Sequence, residues 1–124
     1  MEIKPILWVA SSKHDLVLME EGAKDEIGHA LFLAQIGGKS DKAKPLKGFG
    51  SAAILEIVEY NIRGTYRAVY TVKFKEAIAV LHVFQKKSTQ GIKTSKQDIE
   101  LIKSRLKLAE SEYKTWLIAK KGDS

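Results

Sequence analysis

The chain has 124 residues, of which 44% are hydrophobic and 29% charged, proportions typical of one soluble globular domain that spans residues 1–124. The absence of cysteine excludes disulfides, thiol nucleophiles and cysteine-ligated zinc, and the formal net charge of +6 favours an anionic partner. No apolar run approaches the roughly 20 residues of a membrane-spanning helix and the N-terminus lacks the pattern of a signal peptide, so we expect a cytoplasmic protein without a membrane partner.

The first third of the chain predicts a buried strand and a pair of helices. Residues 6–10 form a short apolar run of β-formers, which favours a strand. A first helix begins after Ser11 or Ser12, and a second covers residues 23–36. Apolar residues three and four apart give the pair an inward side, so we expect both helices to cover one face of a sheet.

Residues 39–51 predict a loop, because Lys, Gly, Ser and Pro follow one another there without periodicity. The loop carries Lys44 and Lys47 and ends in Gly48-Phe-Gly50. These glycines permit a close approach of the backbone to another group, and a tight connection to the next strand explains them equally well. The segment is not a phosphate-binding P-loop, because it lacks Gly-Lys-Ser/Thr after a strand.

Three strands are predicted in the centre of the chain. Residues 54–60 and 66–74 flank a glycine-containing connection of hairpin length. Residues 77–85 are apolar on both faces, which predicts a central strand with a neighbour on each side.

The alternation within residues 66–74 assigns side chains to the two faces of the sheet. Tyr66, Tyr70 and Phe74 share the face that we expect to pack on the helices. Arg67 belongs to the other face, which we expect to be half exposed.

The last part of the chain predicts a long helix. Ser95 and Asp98 match the acidic form of the capping box. Apolar residues recur at spacings of three and four from Ile99 to Ala109, and we expect the helix to run past Tyr113. The order β, α, α, three antiparallel strands, α predicts an α+β fold: a small, mainly antiparallel twisted sheet of about four strands, two N-terminal helices packed on it, and a C-terminal helix.

Several kinds of chemistry are excluded by missing residues. His14, His29 and His82 lack the spacing of metal ligands, and neither a nucleophile elbow nor a dinucleotide fingerprint is present. Glu56 and Glu59 point to opposite faces of one strand, which disfavours paired-carboxylate catalysis. We therefore predict no metal site and no small-molecule cofactor.

The chemistry that remains is cationic and close to aromatic residues, which fits RNA. Such a set can cleave RNA without a metal: the ribose 2′-hydroxyl attacks the neighbouring phosphate, cations stabilise the oxyanion, and an acid protonates the leaving oxygen. The candidates by position are Lys44, Lys47, Arg67, His82, Lys86 and Lys87.

Each candidate also has a structural interpretation. Arg67 can form an ordinary cross-strand ion pair with Glu56 or Glu59. His82, in an apolar strand, can be a hydrogen-bonded core residue. The lysines at the end of the last strand can oppose strand addition.

The segments KPLKGFG, ILEIVE, TYRAVYTV, IAVLHVFQKK and TSKQDIELIKSRL, in this order, resemble the HigB-like, phage-associated branch of the RelE/ParE toxin superfamily over residues 6–108. The resemblance implies a small antiparallel sheet flanked by helices. It also implies a toxin of a toxin–antitoxin module that cleaves mRNA in the ribosomal A site. Its partners would be mRNA on the ribosome and a cognate antitoxin, commonly a helix-turn-helix protein.

The resemblance also implies roles for individual residues. Arg67 matches the phosphate-binding arginine of the family. Lys44 and Lys47 match its basic loop before the strands, and Lys86 and Lys87 match the basic end of its last strand. The predicted catalytic residues are Arg67, Lys47, Lys87 and His82, and the predicted RNA-binding residues are Lys44, Lys86, Lys93 and Phe84.

One strand departs from the pattern of the family. Where many relatives carry two arginines, this chain reads Leu-Glu-Ile-Val-Glu at residues 55–59, which removes expected phosphate contacts. Two further functions therefore stay open: a non-nucleolytic toxin that inhibits a protein such as DNA gyrase, and a decayed prophage protein that retains only antitoxin binding.

Overall fold

The computed structural model describes residues 2–86 and 93–122, and within them the chain forms five strands and three helices. In chain order these are β1 (Ile6–Trp8), α1 (Ser12–Val17), α2 (Glu21–Gln35), β2 (Ala43–Pro45), β3 (Ile54–Asn61), β4 (Gly64–Thr71), β5 (Ile78–Lys86) and α3 (Lys96–Gly122). The α+β class expected from the sequence is confirmed. None of the described helices is long and apolar enough to cross a membrane.

The strands form one mixed sheet in the order β1-β5-β4-β3-β2. β1 runs parallel to β5, and the other pairs are antiparallel. The central position predicted for the last strand is confirmed, since β5 lies between β1 and β4. The expected number of four strands was too low, because residues 43–45 of the predicted loop pair with β3 as an edge strand. Three residues are too few to show a period, and a proline at an edge breaks no inner hydrogen bond of the sheet.

Helices cover both faces of the sheet. On one face, Ile27 and Leu31 of α2 pack against Tyr66 and Tyr70 of β4. On the other face, Ile102 and Ala109 of α3 lie in a second core with Val69, Leu81 and their neighbours. All eight residues of β4 are buried as a result. The expected half-exposed face around Arg67 was therefore wrong, because the sequence pattern did not reveal that α3 packs there.

The β4–β5 pairing contains an irregularity that changes which side chains share a face. Val69 lies opposite His82 but Tyr70 lies opposite Val80, so β5 has one extra residue, Leu81, at a β-bulge. β4 ends soon afterwards at Thr71. Phe74 therefore lies beyond the strand, in the second core, which also contains Ile102 and Ala109 of α3. The expectation that Phe74 shares a face with Tyr66 and Tyr70 was wrong.

The predicted cap of α3 is confirmed. The Asp98 backbone N–H donates to Ser95 Oγ at 3.1 Å, and the same hydroxyl donates to the Asp98 carboxylate at 2.7 Å. The cap fixes the first turn of α3, and with it the Asp98 side chain, against the end of β5. Ser11 precedes α1 without a capping bond from its side chain.

Candidate functional site

Polar side chains of the strands and of α3 meet on the α3 side of the sheet, around the first turns of that helix. The strand pairing explains this. Arg67 lies opposite Val58 and Phe84, and Glu56 and His82 lie two residues further along the neighbouring strands, on the same face of the sheet. Cross-strand partners share a face of the sheet. We call this group the α3-start cluster: Glu56, Arg67, His82, Phe84, Lys86, Thr94, Asp98 and Arg105.

Arg67 and Glu56 form a buried ion pair at the base of the cluster. Arg67 Nη1 donates to Glu56 Oε1 at 2.9 Å, and the two side chains are only 5% and 11% exposed. Thr94 joins them, with its hydroxyl 3.4 Å from Arg67 Nη1 and hydrogen-bonded to the Glu56 carboxylate. Removing one partner of a buried ion pair costs roughly 3–5 kcal/mol, because the charge that remains is left buried and unpaired. The structure thus contains the cross-strand pair between Arg67 and Glu56 that the sequence had left as one of two alternatives.

His82 is hydrogen-bonded through both ring nitrogens. Its Nδ1 lies 3.2 Å from Arg105 Nη1 and its Nε2 lies 3.1 Å from Asp98 Oδ1. A guanidinium can only donate, so Nδ1 accepts a hydrogen bond from Arg105, and Nε2 carries the ring proton and donates a hydrogen bond to Asp98. In this arrangement the neutral ring has no lone pair left to accept a proton from a substrate.

The surroundings of His82 favour its neutral form. Burial lowers the pKa of His82, the Arg105 charge adds to this effect, and the hydrogen bond to Asp98 opposes it. The ring also stacks on Phe84 with the ring centres 4.2 Å apart. His82 therefore holds Phe84 and the start of α3 in position.

Asp98 connects the helix cap to the cations of the cluster. Besides Ser95 and His82, its carboxylate lies 3.6 Å from Lys86 Nζ. Burial raises the pKa of Asp98, but hydrogen bonds from Ser95 and His82 together with the nearby Lys86 charge outweigh this and leave the pKa below its usual value. Lys86 Nζ also donates to the Lys93 carbonyl at 3.3 Å, which ties the end of β5 to the segment before α3.

A cleft with a volume of about 370 Å³ lies beside the cluster, along β2 and β3. Its walls include Lys44, Val58 and Tyr60. Lys44 lies directly opposite Glu56 in the β2–β3 pairing, and Val58 lies opposite Arg67. The cleft therefore places an exposed lysine and an exposed tyrosine ring next to the buried ion pair.

The other predicted lysines are placed less closely. Lys47 is exposed in the loop after β2. The next residue, Gly48, has a φ of +100° and lies near Ile99 of α3, so the loop passes the first turn of that helix. Lys47 makes no hydrogen bond or ion pair with any residue in the described ranges. Lys87 lies outside the described residues.

The structure thus brings together Arg67, His82, Phe84 and Lys86 of the predicted set, with Lys44 at the adjoining cleft. Sequence reasoning did not single out Thr94, Arg105 or Tyr60. A signal existed for Arg105, because Asp98, Ile102, Arg105 and Ala109 follow one another at helical spacings of four, three and four. Among residues 2–86 and 93–122, no three His, Asp or Glu side chains come close enough together to hold a metal ion.

Fold and site together define a basic α+β protein with a buried ion-pair cluster beside a cleft that is lined in part by the exposed Lys44. The sequence model of the phage-derived, Gp49-like protein family matches residues 14–107, most of the chain, and the protein belongs to this family. The family is associated with the toxins of toxin–antitoxin modules. Comparison with curated proteins and with solved structures produced no match.

Proposed function

We propose that this protein is the toxin of a type II toxin–antitoxin module and that it cleaves mRNA on the ribosome without a metal ion, as a single RelE-like, HigB-related domain. Membership of the Gp49-like family supports the toxin role. The observation that carries the proposed cleavage is that Arg67 and Lys86 share one face of the sheet beside a cleft with exposed Lys44 and Tyr60. The partners in this proposal are the cognate antitoxin and mRNA on the ribosome.

In the proposed reaction, RNA lies across the α3-start cluster with its backbone along the lysines. The 2′-hydroxyl attacks the adjacent phosphate, and Lys86 and Arg67 stabilise the negative charge that develops on the phosphate oxygens. The proton lost by the hydroxyl is balanced by protonation of the leaving 5′-oxygen. Lys44, Lys47, Lys87 and Lys93 neutralise neighbouring phosphates, while Tyr60 and Phe84 offer rings for unstacked bases.

The proposal requires one local change at Arg67. Its side chain is 5% exposed and its Nη1 is hydrogen-bonded to Glu56 and Thr94. We expect a phosphate oxygen to reach the guanidinium by replacing Thr94, which is the weaker of these two partners because its hydroxyl is uncharged. A catalytic role for His82 requires a comparable step, in which Arg105 leaves Nδ1.

The test is cleavage of mRNA on purified translating ribosomes. Wild-type protein should produce fragments with 2′,3′-cyclic phosphate and 5′-hydroxyl ends inside the translated region. Arg67→Lys keeps a cation beside Glu56 but loses the planar guanidinium, so we expect cleavage to fall by about 100-fold or more. Lys86→Gln should weaken cleavage, whereas Lys24→Gln serves as the matched control, because Lys24 lies on α2 and pairs with the exposed Glu21 of the same helix.

Thermal unfolding of each variant separates lost chemistry from lost structure. If wild-type protein leaves mRNA intact under conditions in which a related toxin cleaves it, the proposed enzymatic activity is wrong. If Arg67→Lys and Lys86→Gln both fold and both cleave at the wild-type rate, the assignment of the site is wrong.

A second candidate function is favoured by the Glu56–Arg67 pair itself. The carboxylate in the strand that lacks the family's arginines balances the charge of Arg67, which favours a protein of this family that does not cleave RNA. Growth arrest with intact mRNA and with DNA damage would support a toxin that inhibits a protein such as gyrase. Expression without arrest, together with a stable antitoxin complex, would support a protein that retains binding only.

A further inference from the structure

Helix α3 carries a second regular face, turned away from the sheet. Its inner side packs through Ile102 and Ala109. On the outer side, six uncharged residues recur at alternating spacings of three and four, and all six are exposed. We call them the outer seam: Leu101, Ser104, Leu108, Ser111, Thr115 and Ile118.

The outer seam has the form of a coiled-coil surface. A three-four alternation is the heptad spacing by which one helix packs along another, and in this seam the apolar Leu101, Leu108 and Ile118 alternate with small polar residues. The seam spans about 26 Å at the rise of an α-helix. Leu101, Leu108 and Ile118 are 38%, 43% and 73% exposed, so three large apolar side chains lie at least partly uncovered in a helix that is otherwise rich in charge.

One border of the outer seam is positively charged. Lys107, Lys114 and Lys121 recur every seven residues along it and are exposed. Lys107 and Lys114 have no ion pair with any residue of the described ranges. Towards the start of the helix, Glu100 occupies the same border. Its Oε1 lies 3.8 Å from Lys103 Nζ.

The opposite border is occupied differently. Arg105 turns inward, where it donates to the Leu81 carbonyl at 3.0 Å and to Ser11 Oγ at 3.3 Å. The charge available to a partner therefore comes mainly from the lysine border.

We propose that the outer seam binds an amphipathic helix of a partner protein, with bulky apolar residues facing Ser104 and Ser111 and acidic residues facing Lys107 and Lys114. The small serines leave room for large side chains from the partner, and the lysines select for acidic neighbours. This inference rests on the geometry of α3 and holds whether or not the protein cleaves RNA. If the protein is a toxin, its antitoxin is the natural source of such a helix.

A second copy of α3 and an RNA strand both fit the outer seam less well. An antiparallel pair of α3 helices would place the lysine borders against each other. A parallel pair would bring Glu112 opposite Lys107 but would stack serine on serine in two layers, without apolar contact. RNA would use the lysines but not Leu101 and Leu108.

The test titrates the full-length protein with labelled helical peptides of about three heptads and follows fluorescence anisotropy. One peptide carries Ile and Leu at the seam positions and Glu at the borders, the second carries Lys at the borders, and the third is a scrambled form of the acidic one. We expect the acidic peptide to bind at least about tenfold more tightly than the other two.

Two double variants examine the two parts of the surface separately. Leu101→Ser with Leu108→Ser should weaken the acidic peptide by at least about tenfold, and Lys107→Glu with Lys114→Glu should reverse the preference towards the basic peptide. Matched controls are Ile62→Ser, at a residue that is 94% exposed, and Lys13→Glu with Lys39→Glu. Both controls should bind like wild type, and circular dichroism verifies that each variant folds.

Three results would overturn the proposal. The first is absence of binding to the acidic peptide. The second is binding that is lost with the lysine reversals but survives the leucine changes, which indicates a general polyanion site such as one for RNA. The third is a wild-type dimer in analytical ultracentrifugation that Leu101→Ser with Leu108→Ser dissociates, which assigns the seam to a second copy of the chain.

Discussion

The imidazole of His82 lies between a carboxylate and a guanidinium of the same helix. Asp98 contacts one ring nitrogen and Arg105 contacts the other. Only the neutral ring satisfies both contacts, because a protonated Nδ1 would point its proton at the guanidinium. Asp15 also acts on the ring through its charge and favours protonation. The neutral ring thus depends on burial and on Arg105 together.

This arrangement predicts an effect of pH on stability. The folded protein binds a proton at His82 less readily than the unfolded chain does. In the unfolded chain the pKa of this histidine has its ordinary value of 6.5. The unfolded state therefore gains protons first as the pH drops below that value, and the free energy of unfolding should decrease. His82→Gln should reduce this decrease, measured by urea unfolding at about pH 7.5 and pH 5.5.

The matched control for this prediction is His29→Gln, because His29 is an exposed residue of α2. The control should keep the pH dependence of wild type. An unchanged decrease in stability in His82→Gln would show that other groups govern stability in this pH range.

The residues of the candidate site show how far sequence reasoning reaches at this scale. Alternation and strand pairing made Glu56 a possible neighbour of Arg67, and the structure contains that pair. Burial of the pair was not readable, because it depends on α3 and Thr94, which are 27 or more residues away along the chain.

At the scale of elements, the start of α3 determines much of the site. The Ser95–Asp98 cap sets where the helix begins, and Asp98 then meets both His82 and Lys86. This start was readable from four consecutive residues, because capping depends on local spacing.

Ser95→Ala should lower the free energy of unfolding by about 1 kcal/mol, the usual cost of losing an N-cap side chain. The control is Ser104→Ala on the outer seam, where the side chain is exposed and makes no hydrogen bond with any described residue. Chemical denaturation measures both variants. Equal stability of the two would contradict a stabilising role of the cap.

The edge strand β2 and the β-bulge in β5 were not predicted from the sequence. β2 has three residues and one of them is proline, so neither alternation nor β-propensity distinguishes it from a loop. The bulge at Leu81 also leaves no signal in the sequence, because it arises from the pairing of two strands and not from the composition of one strand.

Across the whole molecule, β4 is the most enclosed strand. It lies between β3 and β5, helices cover both faces of the sheet, and all eight of its residues are buried. β2 lies at the edge and is held by few bonds, among them the donation from the Leu46 amide to the Ile54 carbonyl at 2.9 Å. The two regions should therefore open independently.

Native-state hydrogen exchange tests this difference. The amides of β4 should exchange only through global unfolding, whereas the Leu46 amide should exchange through local opening, orders of magnitude faster. Amide exchange followed by NMR at increasing denaturant separates the two, because global opening responds strongly to denaturant and local opening does not. Equal protection of Leu46 and Val69 would contradict the independent opening of the edge.

The sequence by itself determined the α+β class, the capped start of α3, the central strand and the basic character of the protein, because periodicity, capping and charge are properties of neighbouring residues. Only the tertiary structure decided that α3 covers the second face of the sheet, that Arg67 is buried against Glu56, and that His82 is occupied on both nitrogens. Those facts depend on how distant segments pack, and a one-residue bulge or an edge strand changes them without leaving a periodic signal. The unused outer seam of α3 became visible for the same reason: the heptad spacing was always in the sequence, but only the packed structure shows which side of the helix remains open.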